Sequence, residues 1–172
     1  FLLTPDDLTL VMSNRSATQR LGFATSLCAL RYLGFFPQNL MTAPDNVLQY
    51  VAEQISCDVE AIMGYGERSD TRQEHQRAIM TYLGFRWFKS SEEQILFDWL
   101  SQRALENDRP STLLQQASEW LYKHQVVRPG ITTLEELILT SRDKAHELTY
   151  EQVSQVLDKN LSTELDRLLI VD

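Results

Sequence analysis

Apolar residues recur at three- and four-residue intervals along most of this chain, and only six Gly and five Pro interrupt them in 172 residues. Sandwiches and barrels need a turn every few residues, whereas a chain so poor in turn formers runs as long helices that each bury one stripe. The pattern predicts an all-α fold, a multi-helix bundle of two helical subdomains with helix-turn-helix-like units. The expected subdomains are residues 1–68 and 69–172, joined near Gly66–Ser69, and 43% apolar content suffices to pack them.

Start and stop signals place the helices. Thr4-Pro5-Asp6-Asp7 combines an N-cap, a first-turn Pro and two acids, so a helix is expected from Pro5 to about Asn14. Ser16 opens a longer helix with Leu21, Ala24, Leu27, Cys28, Leu30 and Leu33 on its apolar side, stopped by Gly34 and Pro37. Pro44-Asp45 opens a third, and a brief helix carrying Val59, Ile62 and Met63 follows before Gly64 and Gly66. Further helices are expected from Ser69 or Asp70 to Leu83, from the capping box Ser90-Ser91-Glu92-Glu93, and from Pro110 to about Gln125. Thr132-Thr133-Leu134-Glu135-Glu136 holds two overlapping capping boxes ahead of a long helix reaching Leu157, whose weakest point is Thr149–Gln152.

Several chemistries find no residues to carry them. His75, His124 and His146 lie far apart without metal-ligand spacing, and the pairs Glu92-Glu93 and Glu135-Glu136 fall in helix starts, where they satisfy amides. Gly64 and Gly66 lack the downstream Gly-Lys of a phosphate loop, and no serine sits in a nucleophile elbow. Cys28 and Cys57 occupy apolar helical positions as core thiols. The expectation is a non-catalytic module with no cofactor, no metal and no small-molecule substrate. No apolar run reaches the roughly 18 residues that span a bilayer and no signal peptide opens the chain, so a soluble cytoplasmic protein without a membrane partner is expected. The absence of an initiator Met and the closing run Leu168-Leu169-Ile170-Val171 read as a piece cut from a longer polypeptide.

A net charge of -8 looks hostile to nucleic acid, but it is unevenly spread. Residues 1–89 hold eight basic against nine acidic side chains, and residues 90–172 eight against fifteen. Leu8–Pro44 contains Arg15, Arg20 and Arg31 and no acid; Arg68–Lys89 contains Arg68, Arg72, Arg77, Arg86 and Lys89 against Asp70 and Glu74. Seven of the eight basic residues in the first half are Arg, whose planar fork suits phosphates and guanine edges. These eight, with Thr71 and His75 beside them, are the candidate contacts to double-stranded DNA. The stretch Val51–Tyr65 has the pattern of a helix-turn-helix: Ala52 is the small residue where two helices approach, Ile55 and Cys57 bracket the turn, and Ile62 and Tyr65 face inward, with Ser56 where a turn Gly is usual.

The runs Gln19–Ala24, Leu27-Cys28, Leu30–Tyr32, Tyr50–Gln54, Tyr65–Arg68, Thr71-Arg72, Glu74-His75, Tyr82–Phe85 and Pro129–Glu135 resemble, in order and spacing, the N-terminal region of the replicative transposases of the Tn-three family. That resemblance implies an array of helical DNA-binding units recognising terminal inverted repeats, nucleoid association in a bacterial host, and strand transfer at a separate C-terminal aspartate-aspartate-glutamate metal site outside this chain. Self-association of the full-length protein stays open. The alternative is a helical interaction or dimerisation module of a larger DNA-processing protein, whose acidic half docks a partner. The two basic segments discriminate: gathered on one face they favour DNA, and scattered they favour interaction.

Overall fold

The computed structural model describes residues 1–66 and 69–156, and among these the regular elements are helices, joined by one isolated parallel bridge. Two compact units divide the chain. The first is Phe1–Phe88 together with Trp120–Pro129, and the second is Lys89–Glu119 together with Gly130–Asp172.

In the first unit, α1 (Pro5–Met12) starts at a complete capping box, with the Asp7 amide donating to Thr4 Oγ1 at 3.2 Å and the Thr4 amide to Asp7 Oδ2 at 2.7 Å. Ser16 and Gln19 form the same device ahead of α2 (Ala17–Leu33), which ends on Gly34 at φ 75°, a left-handed turn that favours glycine. Every residue from Leu21 to Leu30 is buried, so α2 is the central post of the unit. Around it pack α1, α3 (Asp45–Gln54), α4 (Ser69–Leu83) and two short 3-10 turns, Leu40–Thr42 and Val59–Ile62.

The expected second helix of the helix-turn-helix is the second of those 3-10 turns, four residues long and capped by Asp58. Ile55 and Ile62 are buried as the pattern requires, but Gly64 and Gly66 at φ 84° and 88° turn the backbone away before a regular helix forms. The segment therefore presents no helix long enough to lie along a major groove. Nor do the units part near Gly66–Ser69. His75, Ile79 and Met80 of α4 are buried in the first unit, Ile79 and Met80 within the α2 core, and the division falls after Phe88.

Residues 120–129 return to the first unit from the end of α6 (Pro110–Lys123). Arg86 and Val126 form the isolated bridge, through Arg86 N–H to Gln125 O at 2.9 Å and Val127 N–H to Arg86 O at 2.8 Å, while the Arg128 amide donates to Gly34 O at 2.8 Å. Val127 is buried in the same core as α2.

In the second unit α5 (Ser90–Glu106) packs on α7 (Ile131–Val156) through Leu96, Leu100 and Ala104 on one side and Leu134, Ile138 and Ala145 on the other. The buried hydroxyls of Ser101 and Ser141 donate to the carbonyls one turn earlier, Phe97 O and Leu137 O. Neither set of predicted capping boxes forms. Lys89 holds the N-cap of α5 without a side-chain bond, which shifts Ser90 into the helix, and α7 begins at Ile131, ahead of both threonines. The helix runs unbroken through Thr149–Gln152, and the expected end at Leu157 lies outside the described residues.

Candidate nucleic-acid interface

The division into units sharpens the charge asymmetry. By sequence the first unit carries nine Lys and Arg against nine Asp and Glu, and the second seven against fifteen, so the whole net charge of -8 belongs to the second.

Local structure then separates the arginines of the first unit into those it consumes and those it leaves to solvent. Arg31 grips Asp7 through both terminal nitrogens at 2.6 Å, and Asp7 is 0% exposed. Tyr82 donates to the same carboxylate at 2.9 Å. Burial pushes the Asp7 carboxyl up, but Arg31, the Thr4 amide and Tyr82 outweigh it and hold the group well below the ordinary carboxylate range. The bond to Asp7 in turn holds Arg31 above its usual value. Arg20 Nε donates to Asn14 O at 2.9 Å, closing the corner between α1 and α2. Arg72 donates to Pro37 O at 2.6 Å and to Gln38 O, tying α4 to the loop after α2. Arg86 donates to His124 O at 2.7 Å and so braces the returning segment.

His75 is not at the surface: it is 8% exposed, edge-on to Phe23, with Nδ1 3.0 Å from the Tyr65 hydroxyl. The apolar walls disfavour its charged form and lower its pKa. The unfolded chain therefore takes up a proton near pH 6.5 before the folded one does, so stability is full above about pH 6.5 and falls as pH drops below it. A series of urea melts between about pH 7.5 and 5.5 should show this loss in the parent chain and a flat response in His75→Phe.

Of the remaining candidates, Arg15 between α1 and α2 and Arg77 on the outer side of α4 are exposed, and among the described residues neither side chain takes part in a hydrogen bond or ion pair. Thr71 is half-buried in the first turn of α4. Lys89 is exposed but belongs to the second unit, and Arg68 lies outside the described residues. The sequence reading overlooked Lys123 and Arg128, which the returning segment carries into the first unit. Lys123 is exposed, and Arg128 lies over the Phe35 ring with its carbon 4.3 Å from the centroid. The signal was there in the chain, because residues 120–134 contain no acid.

Among the described residues no group of His, Cys, Asp and Glu could hold a metal ion, and no helix is long and apolar enough to cross a membrane. Burial pushes the Cys28 thiol up to about 11, the behaviour of an inert core residue. The arrangement offers cations and aromatic surface.

Comparison with known proteins agrees with the resemblance read from the sequence. The family described as a domain of unknown function (DUF4158) matches residues 1–140. The transposase for transposon Tn1546 of Enterococcus faecium is 32% identical over 169 residues, 98% of this chain and 17% of the relative. The transposase for transposon Tn501 of Pseudomonas aeruginosa is 30% identical over 169 residues, again 98% of this chain and 17% of the relative. The transposase for transposon gamma-delta of Escherichia coli is 31% identical over 180 residues, 99% and 17%. The chain spans about 17% of the length of these relatives. It belongs to the DUF4158 family and, over nearly its whole length, matches a region of Tn-three-family transposases.

Proposed function

We propose that this chain is a non-catalytic DNA-binding region of a transposase, that it recognises the terminal inverted repeats of its element, and that the first unit carries the duplex. The observation that carries the reading is the confinement of the net charge of -8 to the second unit, beside transposase relatives that align over 98% of this chain. A neutral body with exposed Arg15 and Arg77 meets a polyanion without net repulsion, and at physiological salt any charge beyond a Debye length of about 8 Å is screened. Cleavage and strand transfer belong elsewhere in the polypeptide, and the bound state is nucleoid-associated.

The test is a titration of a duplex bearing the terminal repeat against a shuffled duplex at several salt concentrations. Tighter binding to the repeat is expected. Arg15→Ala with Arg77→Ala should weaken both duplexes and flatten the logarithmic salt dependence by about 0.9 for each phosphate no longer neutralised. Equal affinity for repeat and shuffled duplex sinks sequence recognition, and an unchanged slope removes the two arginines from the interface.

The interaction-module reading draws on one feature of the second unit. The last turns of α7 present Tyr150 at 74% and Val153 at 50% exposure. A chain that ignores duplex DNA but self-associates with rising concentration would favour that reading over the first.

A further inference from the structure

Three stretches of this chain lack acids altogether: residues 8–44, 75–91 and 120–134. The fold of the first unit makes them meet. Arg128 N–H reaches Gly34 O, and the bridge between Arg86 and Val126 joins the second stretch to the third. Where they converge lies a shallow depression of about 360 Å³, bounded by Arg31, Leu83, Phe85, Tyr122, Lys123 and Gln125. All six residues come from the acid-free stretches.

The walls of this depression are built by specific bonds. Tyr122 donates its hydroxyl to Arg31 O at 2.7 Å, and Gln125 Nε2 donates to Leu83 O at 3.2 Å. Gln125 holds φ at 53°, in the left-handed region, which turns the chain back after α6. Phe85 meets the Tyr122 ring edge-on with centroids 6.1 Å apart. Charge follows from the partners. Arg31 is neutralised by Asp7, whereas among the described residues Lys123 has no carboxylate partner and stays exposed. The depression therefore offers one uncompensated cation, a second guanidinium still partly open to solvent, and the remaining N–H of the Gln125 amide.

We propose that this depression seats a backbone phosphate of duplex DNA, with Lys123 as its principal cation, so that the segment returning from α6 is part of the DNA-binding face. The proposal rests on the DNA-binding reading above. A seat of this kind fixes register on the duplex without reading bases. A point charge on a flexible stem suits a phosphate whose exact place varies with sequence.

The experiment measures binding of the 172-residue chain to a random-sequence duplex across a salt series, for the parent, Lys123→Ala, Lys123→Arg and Lys144→Ala. Lys123→Ala should flatten the salt slope by about 0.9 and weaken binding several-fold at low salt, while Lys123→Arg keeps the parent slope. Lys144, exposed in the second unit beside Glu147, should change nothing on substitution. Replacing chloride by inorganic phosphate at equal ionic strength should compete no better than chloride does. A parent slope in Lys123→Ala overturns the proposal and leaves the DNA reading standing. Selective competition by inorganic phosphate overturns it in favour of a site for the free anion. A parent chain that binds no duplex at all overturns both.

Discussion

Asp7→Ala should cost about 3–5 kcal/mol of folding free energy, the range for removing one partner of a buried charge pair. The carboxylate is wholly enclosed and accepts from Arg31, Tyr82 and the Thr4 amide at once, so the substitution leaves the Arg31 guanidinium without its partner, releases the exposed Tyr82 hydroxyl to water, and removes the N3 half of a capping box. Because Arg31 is partly open to water, some of its loss is recovered by hydration, which places the effect toward the lower end of that range. Urea denaturation followed by circular dichroism measures it. The same network sets an acid limit. A carboxyl held below its unfolded value of about 3.9 contributes stability that is complete above that pH and is lost as pH falls through and below it. Asp7→Asn should therefore destabilise at neutral pH and blunt the further loss on acidification. A cost below about 1 kcal/mol for Asp7→Ala would mean that the carboxylate is hydrated after all. Pairing Asp7→Leu with Arg31→Met should restore much of the stability, since a buried ion pair replaced by apolar groups of similar volume is often neutral.

That network also marks where sequence reading stops. The starts of α1 and α2 were legible because a cap and its partner lie within three residues of each other, and Thr4–Asp7 and Ser16–Gln19 each carry their own instructions. The same pattern misled at Ser90 and Thr132, where helix registers chosen by packing begin ahead of the caps. Arginine roles were illegible for a different reason. Whether a guanidinium is spent or free depends on partners far along the chain: Asp7 for Arg31, and for Arg72 the carbonyls of Pro37 and Gln38, which have no side-chain signature at all. Arg15 and Arg77 are exposed because they sit on outward positions of their elements. The return of residues 120–129 could not be foreseen from periodicity, since Val126 and Val127 extend the apolar pattern of α6 while the chain turns at Gln125 into a bridge. Lack of acids in three separate stretches was the only local trace of their meeting.

Gly22 offers the second large effect, and its sign is diagnostic. A glycine inside a helix costs roughly 1 kcal/mol relative to alanine, so Gly22→Ala would ordinarily stabilise α2. Here a Cβ would fall 2.0 Å from Tyr65 Cδ2 and 2.3 Å from Tyr65 Cγ, well inside van der Waals contact. The ring cannot swing aside freely: Cγ sits near the root of the side chain, and the hydroxyl is tied to His75 on α4. The added methyl must displace the whole Gly64–Gly66 turn or push α2 away, and overpacking of this kind costs about 1–3 kcal/mol or more. A net loss of about 2 kcal/mol is expected, with the 3-10 turn Val59–Ile62 loosened first because Tyr65 anchors it to α2. Tyr65→Ala removes the obstacle. In that weakened background Gly22→Ala should become neutral or stabilising, since only the helix-propensity gain remains, and the reversal is a coupling that two independent sites would not show. Thermal melts of the four chains decide it. If Gly22→Ala destabilises equally with and without the Tyr65 ring, the glycine is required by something other than that ring, and the close approach of the turn to α2 is not what holds this corner of the unit together.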